Sequence, residues 1–121
     1  MPERKFIFIV DDDEGFVDII GSFLVRKGYA VEIAKSVDKA LEKLPSLEPD
    51  ACLVDLLLDD GDGLKVVEQI KKIHPAAYII VLSGHREDEA SKQAKEAGAD
   101  EFVPKPLTTS QLKGILDKIF T

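Results

Sequence analysis

The chain is short of three things, and each shortage narrows what it is. It has one cysteine in 121 residues, which excludes a disulfide scaffold and gives no sign of an oxidising compartment. That residue, Cys52, lies in the apolar run Ala51-Cys52-Leu53-Val54, where a small buried hydrophobe is expected. Long hydrophobic runs are missing. Phe6 to Val10, after Arg4 and Lys5, is too short for a signal-peptide core and far too short to span a bilayer, so no membrane association is expected and a soluble, cytoplasmic protein follows. Positive charge is outweighed: 16 basic against 23 acidic residues give a formal charge of -7. Such a field repels phosphate backbones and anionic lipid, so direct nucleic-acid binding is not expected. Repeats, low-complexity tracts and interdomain linkers are also lacking. What is present is 45% hydrophobic and 32% charged residues, enough for a core that buries roughly two-thirds of the unfolded chain's surface. The length predicts one domain over residues 1–121.

Short apolar runs alternate with longer segments of helical spacing, which predicts an α/β protein with a doubly wound parallel sheet of five strands and five helices. The strands are expected at Phe6 to Val10, Ala30 to Ala34, Ala51 to Val54, Tyr78 to Leu82 and Glu101 to Val103. Polar residues break the second and the last, which suits an edge position for at least one of them. Phe16, Ile19, Ile20, Phe23 and Leu24 mark the first helix, with Gly28 as its stop. Ser36 caps a second helix, with Val37, Ala40, Leu41 and Leu44 on its apolar side and a loop from Pro45 to Pro49 after it. Leu64, Val67, Ile70 and Ile73 mark the third, with His74-Pro75 as its exit. The fourth, from about Glu87 to Ala97, is polar and alanine-rich, and such a helix packs weakly and shifts easily. The fifth runs from about Ser110 to Phe120, with Leu112, Ile115, Leu116 and Ile119 facing inward.

In an open parallel sheet, ligands bind beyond the carboxyl ends of the strands. Asp11, Asp12, Asp13 and Glu14 follow the first strand, Asp55 the third, Ser83 and Gly84 the fourth, and Lys105 and Pro106 the fifth. Asp13 and Glu14 suit a helix N-terminus. Asp11 and Asp12 follow a buried strand and would face Asp55. Carboxylates held together repel one another unless a cation sits between them, and all-oxygen ligation suits a hard ion such as Mg²⁺. The set then reads as phosphoryl-transfer machinery. Asp55 is the nucleophile that forms an aspartyl phosphate, Lys105 neutralises a phosphoryl oxygen, and the Ser83 hydroxyl hydrogen-bonds another. Alone, Lys105 is a solvated lysine and Ser83 a turn residue. Their joint placement after successive strands favours the site.

These residues resemble the receiver domains of two-component response regulators. The resemblance covers the whole chain and rests on four marks in order: Phe8-Ile9-Val10-Asp11-Asp12-Asp13, the segment from Val54-Asp55 to Asp62-Gly63, Val81-Leu82-Ser83-Gly84, and Phe102-Val103-Pro104-Lys105-Pro106-Leu107. It implies the flavodoxin-like (βα)5 receiver fold. It implies Asp55 as phosphoacceptor and Asp12 as a direct Mg²⁺ ligand, with Asp11 helping through water and the Leu57 backbone carbonyl completing the protein ligands; Mn²⁺ is the natural substitute. Ser83 matches the switch hydroxyl, Phe102 the switch aromatic, Lys105 the active-site lysine, and the Lys105-Pro106 bond is expected to be cis. The face made by the fourth helix, last strand and fifth helix would switch. Leu57 and His85 occupy the positions that tune dephosphorylation. Leucine at 57 cannot orient a hydrolytic water, so slow self-dephosphorylation is expected. Asp59 departs from the proline usual at its place, which is expected to loosen that loop.

The resemblance implies a signalling phosphoacceptor rather than a conventional enzyme, able to take phosphate from small phosphodonors. His74 reads as a loop residue and His85 as a rim residue, so the phosphoryl donor is another protein, a sensor histidine kinase or a histidine phosphotransfer protein. The readout would be an output domain, an effector protein or a phosphorylation-dependent homodimer. The competing reading is a phosphatase of the haloacid dehalogenase type, with Asp11 as nucleophile in Asp11-x-Asp13-x-Gly15. It leaves Asp55 unexplained and lacks the expected late acidic metal ligands. An FMN site would need a loop rich in Ser, Thr and Gly after the first strand, and a calcium loop fails at Leu58 and Gln69.

Overall fold

The computed structural model describes residues 4–84 and 88–120. Five parallel strands, β1 (Phe6–Val10), β2 (Ala30–Ala34), β3 (Ala51–Asp55), β4 (Tyr78–Ser83) and β5 (Glu101–Pro104), form one sheet in the order β2-β1-β3-β4-β5. The helices are α1 (Glu14–Arg26), α2 (Val37–Lys43), α3 (Gly63–Ile73), α4 (Asp88–Ala97) and α5 (Thr109–Ile119). The doubly wound architecture is as expected, and both strands broken by polar residues, β2 and β5, stand at the edges.

Side chains alternate across a strand, so each central strand serves two cores. Phe8, Val10, Cys52, Val54, Ile79 and Val81 face α2, α3 and α4, whereas Ile7, Ile9, Leu53, Ile80 and Leu82 face α1 and α5. Burial on both faces is why these strands read as unbroken apolar runs. Cys52 is fully buried as expected, and desolvation pushes its thiol up to about 12.

Local signals set the helix ends. The Asp13 side chain accepts the Phe16 N–H at the start of α1, Ser36 accepts that of Lys39 in α2, and Thr108 with Gln111 forms a reciprocal capping box on α5. Gly28, with φ 96°, turns the chain out of α1 in a conformation that favours glycine. One expectation needs correcting. Ile19 is 64% exposed, and α1 instead buries Val17, Ile20, Gly21 and Leu24. The buried stripe of a helix is about 100° wide, and Val17 shares it with Ile20 and Leu24 at three- and seven-residue steps while Ile19 falls outside.

The segment after β3 forms a small antiparallel hairpin, Leu57–Leu58 against Gly61–Asp62, rather than the loosened loop expected from Asp59. No helix among the described residues is long and apolar enough to cross a membrane.

Candidate functional site

The strand order reverses beside β1: α1 packs on one face of the sheet and α3 on the other, which opens a crevice past the ends of β1 and β3. Asp11 and Asp12 follow β1, and Asp55 is the last residue of β3. Oxygens of these three carboxylates lie within 4.8 Å of one another. Asp11 is fully buried, Asp55 nearly so, and Asp12 half-buried.

Each acid is tied down by a different neighbour. Asp11 Oδ1 accepts the Asp13 N–H at 2.9 Å, which turns the chain toward the α1 cap. Asp12 Oδ2 accepts the Asp59 N–H at 3.1 Å, so the hairpin residue expected to loosen its loop instead anchors it. Asp55 Oδ1 accepts the Leu57 N–H at 3.1 Å. Lys105 reaches in from the end of β5, its Nζ 3.1 Å from Asp55 Oδ2 and 3.0 Å from Asp11 Oδ2. Its own N–H donates to the Ser83 carbonyl at 2.7 Å, which couples the ends of β4 and β5. The Lys105-Pro106 bond is cis as expected. The Lys105 ammonium also lies 5.2 Å from the centre of the Phe16 ring, a cation–π contact. From the sequence Phe16 belongs only to the apolar side of α1, since nothing local joins it to a lysine 89 positions away.

Burial pushes the Asp55 carboxyl above the ordinary carboxylate range; the Leu57 amide opposes this, the Asp11 charge adds to it, and Lys105 opposes it again. Burial would lower Lys105, but its pairing with Asp11 and Asp55 outweighs that and holds its ammonium above the usual lysine value. Among the described residues, one ammonium faces three carboxylates, and they carry two more negative charges than it offsets when all three acids are ionised. Asp11 Oδ2 is moreover buried, and the Lys105 ammonium that it faces at 3.0 Å is shared with Asp55. Buried carboxylates that share one ammonium within an all-oxygen donor set fit a hard divalent cation.

Glycine at 63 makes the arrangement possible. A Cβ there would strike the Asp55 carbonyl oxygen and the Leu56 Cα, so only glycine lets α3 start directly behind the Asp55 backbone. Ser83 is buried at the end of β4. A cavity of about 370 Å³ between the hairpin, α3 and α4 is bordered by Leu56, Leu57, Leu64, Ser83, Ala90 and Gln93, among others. The Leu57 side chain is 62% exposed at its rim. Phe102 is partly buried against the core that holds Phe8 and Val81. His85 lies outside the described residues. His74, a partly buried group within hydrogen-bonding distance of the Leu44 carbonyl, sits at the far end of α3 from the site. The haloacid dehalogenase reading finds no support: Asp13, its second acid, is engaged as the α1 cap, and Asp11 lies fully buried against Lys105.

The chain is similar to known proteins over nearly its whole length. It is 30% identical to the photosynthetic apparatus regulatory protein RegA of Rhodobacter capsulatus across 93% of this chain, and it spans 61% of the length of that relative. A CheY-like response regulator receiver domain protein of Methanospirillum hungatei JF-1 superposes with a TM-score of 0.89 at 32% identity, covering 97% of this chain and 94% of that one. A response regulator of Burkholderia pseudomallei, solved with a phosphorylated aspartic acid, a calcium ion and citrate, superposes with a TM-score of 0.87 at 32% identity, covering 97% of this chain and 67% of that one. The response regulator receiver domain model matches residues 7–117. A match that runs from the first strand into the last helix shows the family, and the chain belongs to the response regulator receiver domains of two-component signalling.

Proposed function

We propose that Asp55 accepts a phosphoryl group from a phosphohistidine of a sensor kinase or phosphotransfer protein, with Mg²⁺, or Mn²⁺ in its place, held by Asp11, Asp12, Asp55 and the Leu57 carbonyl. The observation that carries this reading is the cluster of three carboxylates, two of which, Asp11 and Asp55, share the Lys105 ammonium. The cation supplies charge neutralisation for an anionic donor entering an acidic pocket. An Asp55 oxygen forms the new O–P bond as the donor's P–N bond breaks, and the electron pair leaves with the donor imidazole. Lys105, kept protonated by Asp11 and Asp55, stands where it pairs with a phosphoryl oxygen.

Ser83 then donates a hydrogen bond to another phosphoryl oxygen, of order 1.5–3 kcal/mol for a charged acceptor, and Phe102 turns inward behind it. The readout lies on α4, β5 and α5, and passes to an output domain, an effector or a second copy of the domain. Intact-mass measurement with a small phosphodonor tests the reading. Wild type with Mg²⁺ gains one phosphate, whereas wild type in EDTA and Asp55→Asn with Mg²⁺ gain almost none; full uptake by either sinks it. Leu57 shields the phosphoryl group, and His85 gives residual hydrolysis. Leu57→Asn is therefore expected to lose phosphate faster than wild type under identical Mg²⁺ and pH, and an unchanged decay rate defeats the shielding argument.

A further inference from the structure

The hairpin that carries Leu57 and Asp59 is fastened from outside the pocket. Asp60, in the turn between its two strands, uses both carboxylate oxygens: Oδ1 accepts the Val37 N–H at 2.8 Å and Oδ2 the Asp38 N–H at 3.1 Å, both in the first turn of α2. Ser36 Oγ takes the Lys39 N–H of the same turn, so the two side chains divide the helix's unpaired donors between them. One residue before Asp60, the Asp59 N–H holds Asp12 Oδ2. On its other side, a Cβ built at Gly61 would lie 3.6 Å from Val37 Cγ2, so the hairpin runs close to the start of α2.

Charge gives the fastening a role beside the hairpin's own ladder and the Asp62 cap on α3. The hairpin brings Asp59, Asp60 and Asp62 up to a pocket that already holds Asp11, Asp12 and Asp55, and like charges would drive it open. Asp60 turns its carboxylate away from the pocket onto two directed donors, which hold it below the ordinary carboxylate range. We propose that Asp60 is a positioning residue for the cation pocket: by gripping the start of α2 it holds the hairpin closed and, through the Asp59 amide, fixes Asp12 in place. The inference rests on the reading of Asp11, Asp12 and Asp55 as the cation pocket. A pocket competent in only a fraction of molecules binds more weakly by that fraction, so loss of the grip weakens cation binding without removing a ligand.

The test is a Mg²⁺ titration of the ¹⁵N-labelled 121-residue chain, followed by amide shifts, for wild type, Asp60→Ala, Asp60→Asn and Ser36→Ala. Asp60→Ala should bind Mg²⁺ about three- to tenfold more weakly, and the Val37 and Asp38 amides should no longer respond to the ion. Asp60→Asn, which keeps one acceptor oxygen, should fall between. Ser36→Ala weakens the same helix turn without touching the hairpin and should stay within about twofold of wild type. An Asp60→Ala affinity equal to that of wild type overturns the grip alone. Equal losses in Asp60→Ala and Ser36→Ala also overturn it, because the effect would then be the stability of α2. Wild type that binds no Mg²⁺ overturns the reading of the pocket and the grip together.

Discussion

Helices α3 and α4 pack on the same face of the sheet and flank the same cavity, yet they are held in opposite ways. α3 places Val66, Val67 and Ile70 fully in the core, and its first residue, Gly63, is wedged behind the Asp55 backbone. Among the described residues of α4, only Ala94 is fully buried; Ala90 and Ala97 are partly so. Burying a valine or isoleucine side chain contributes about 1.5–3 kcal/mol and a methyl group about 0.8 kcal/mol, so α3, with three such residues, is a fixed wall and α4 a lightly held one. The proposed function, in which Asp55 stays still as nucleophile while a neighbouring face responds, needs both. The alanine-rich composition that predicted weak packing of the fourth helix is thus the property that suits its place in the proposed switch.

The contrast can be broken most sharply at Ile70. Ile70→Ala should cost about 2–5 kcal/mol in urea unfolding, since the side chain is fully buried and its cavity cannot collapse against the sheet. A cost under about 1 kcal/mol would mean that α3 is no better anchored than α4. Gly63→Ala comes next, at about 1–3 kcal/mol, because the added methyl must push the Asp55 backbone or the helix aside. Unlike Ile70→Ala, it should also slow phosphorylation in fully folded protein, measured as the initial rate with a small phosphodonor. Ala94→Gly should cost about 1–2 kcal/mol, from one buried methyl and the lower helix propensity of glycine. If it equals Ile70→Ala, the comparison fails.

The last effect is a slope. Burial raises the folded Asp55 pKa above its unfolded value, so its contribution to stability is fully present below the ordinary carboxylate pKa and is lost as pH rises through the raised folded value. In EDTA, the stability of Asp55→Asn relative to wild type should therefore grow as pH rises from acid and then level off. A difference that shrinks with rising pH would show that the Lys105 pairing outweighs desolvation.

The parts of the fold legible in the sequence were those with enough residues to show a period. Three central strands read as apolar runs because both of their faces are buried, and the helices from their spacing and caps. The hairpin was invisible because two residues per strand carry no periodicity, and Ile19 was misplaced because an apolar residue beside the stripe looks the same in sequence as one within it. At the site, Asp11, Asp12, Asp55 and Lys105 are legible from strand ends alone; the structure gathers the three acids within 4.8 Å and pairs Lys105 with Asp11 and Asp55. Asp60 and Phe16 are not, because their partners at Val37 and Lys105 are distant in sequence and known only from the packing.

The buried thiol of the central strand has a practical consequence. With burial pushing its pKa up to about 12, the Cys52 thiol stays protonated at neutral pH, and its full burial denies reagents access. Alkylation of the native protein must then wait for β3 to leave the sheet. Because the chain has no second cysteine, labelling by an alkylating reagent reports the opening of the strand that ends in Asp55, readable by mass: the opening rate where labelling outpaces reclosing, the open population where it does not.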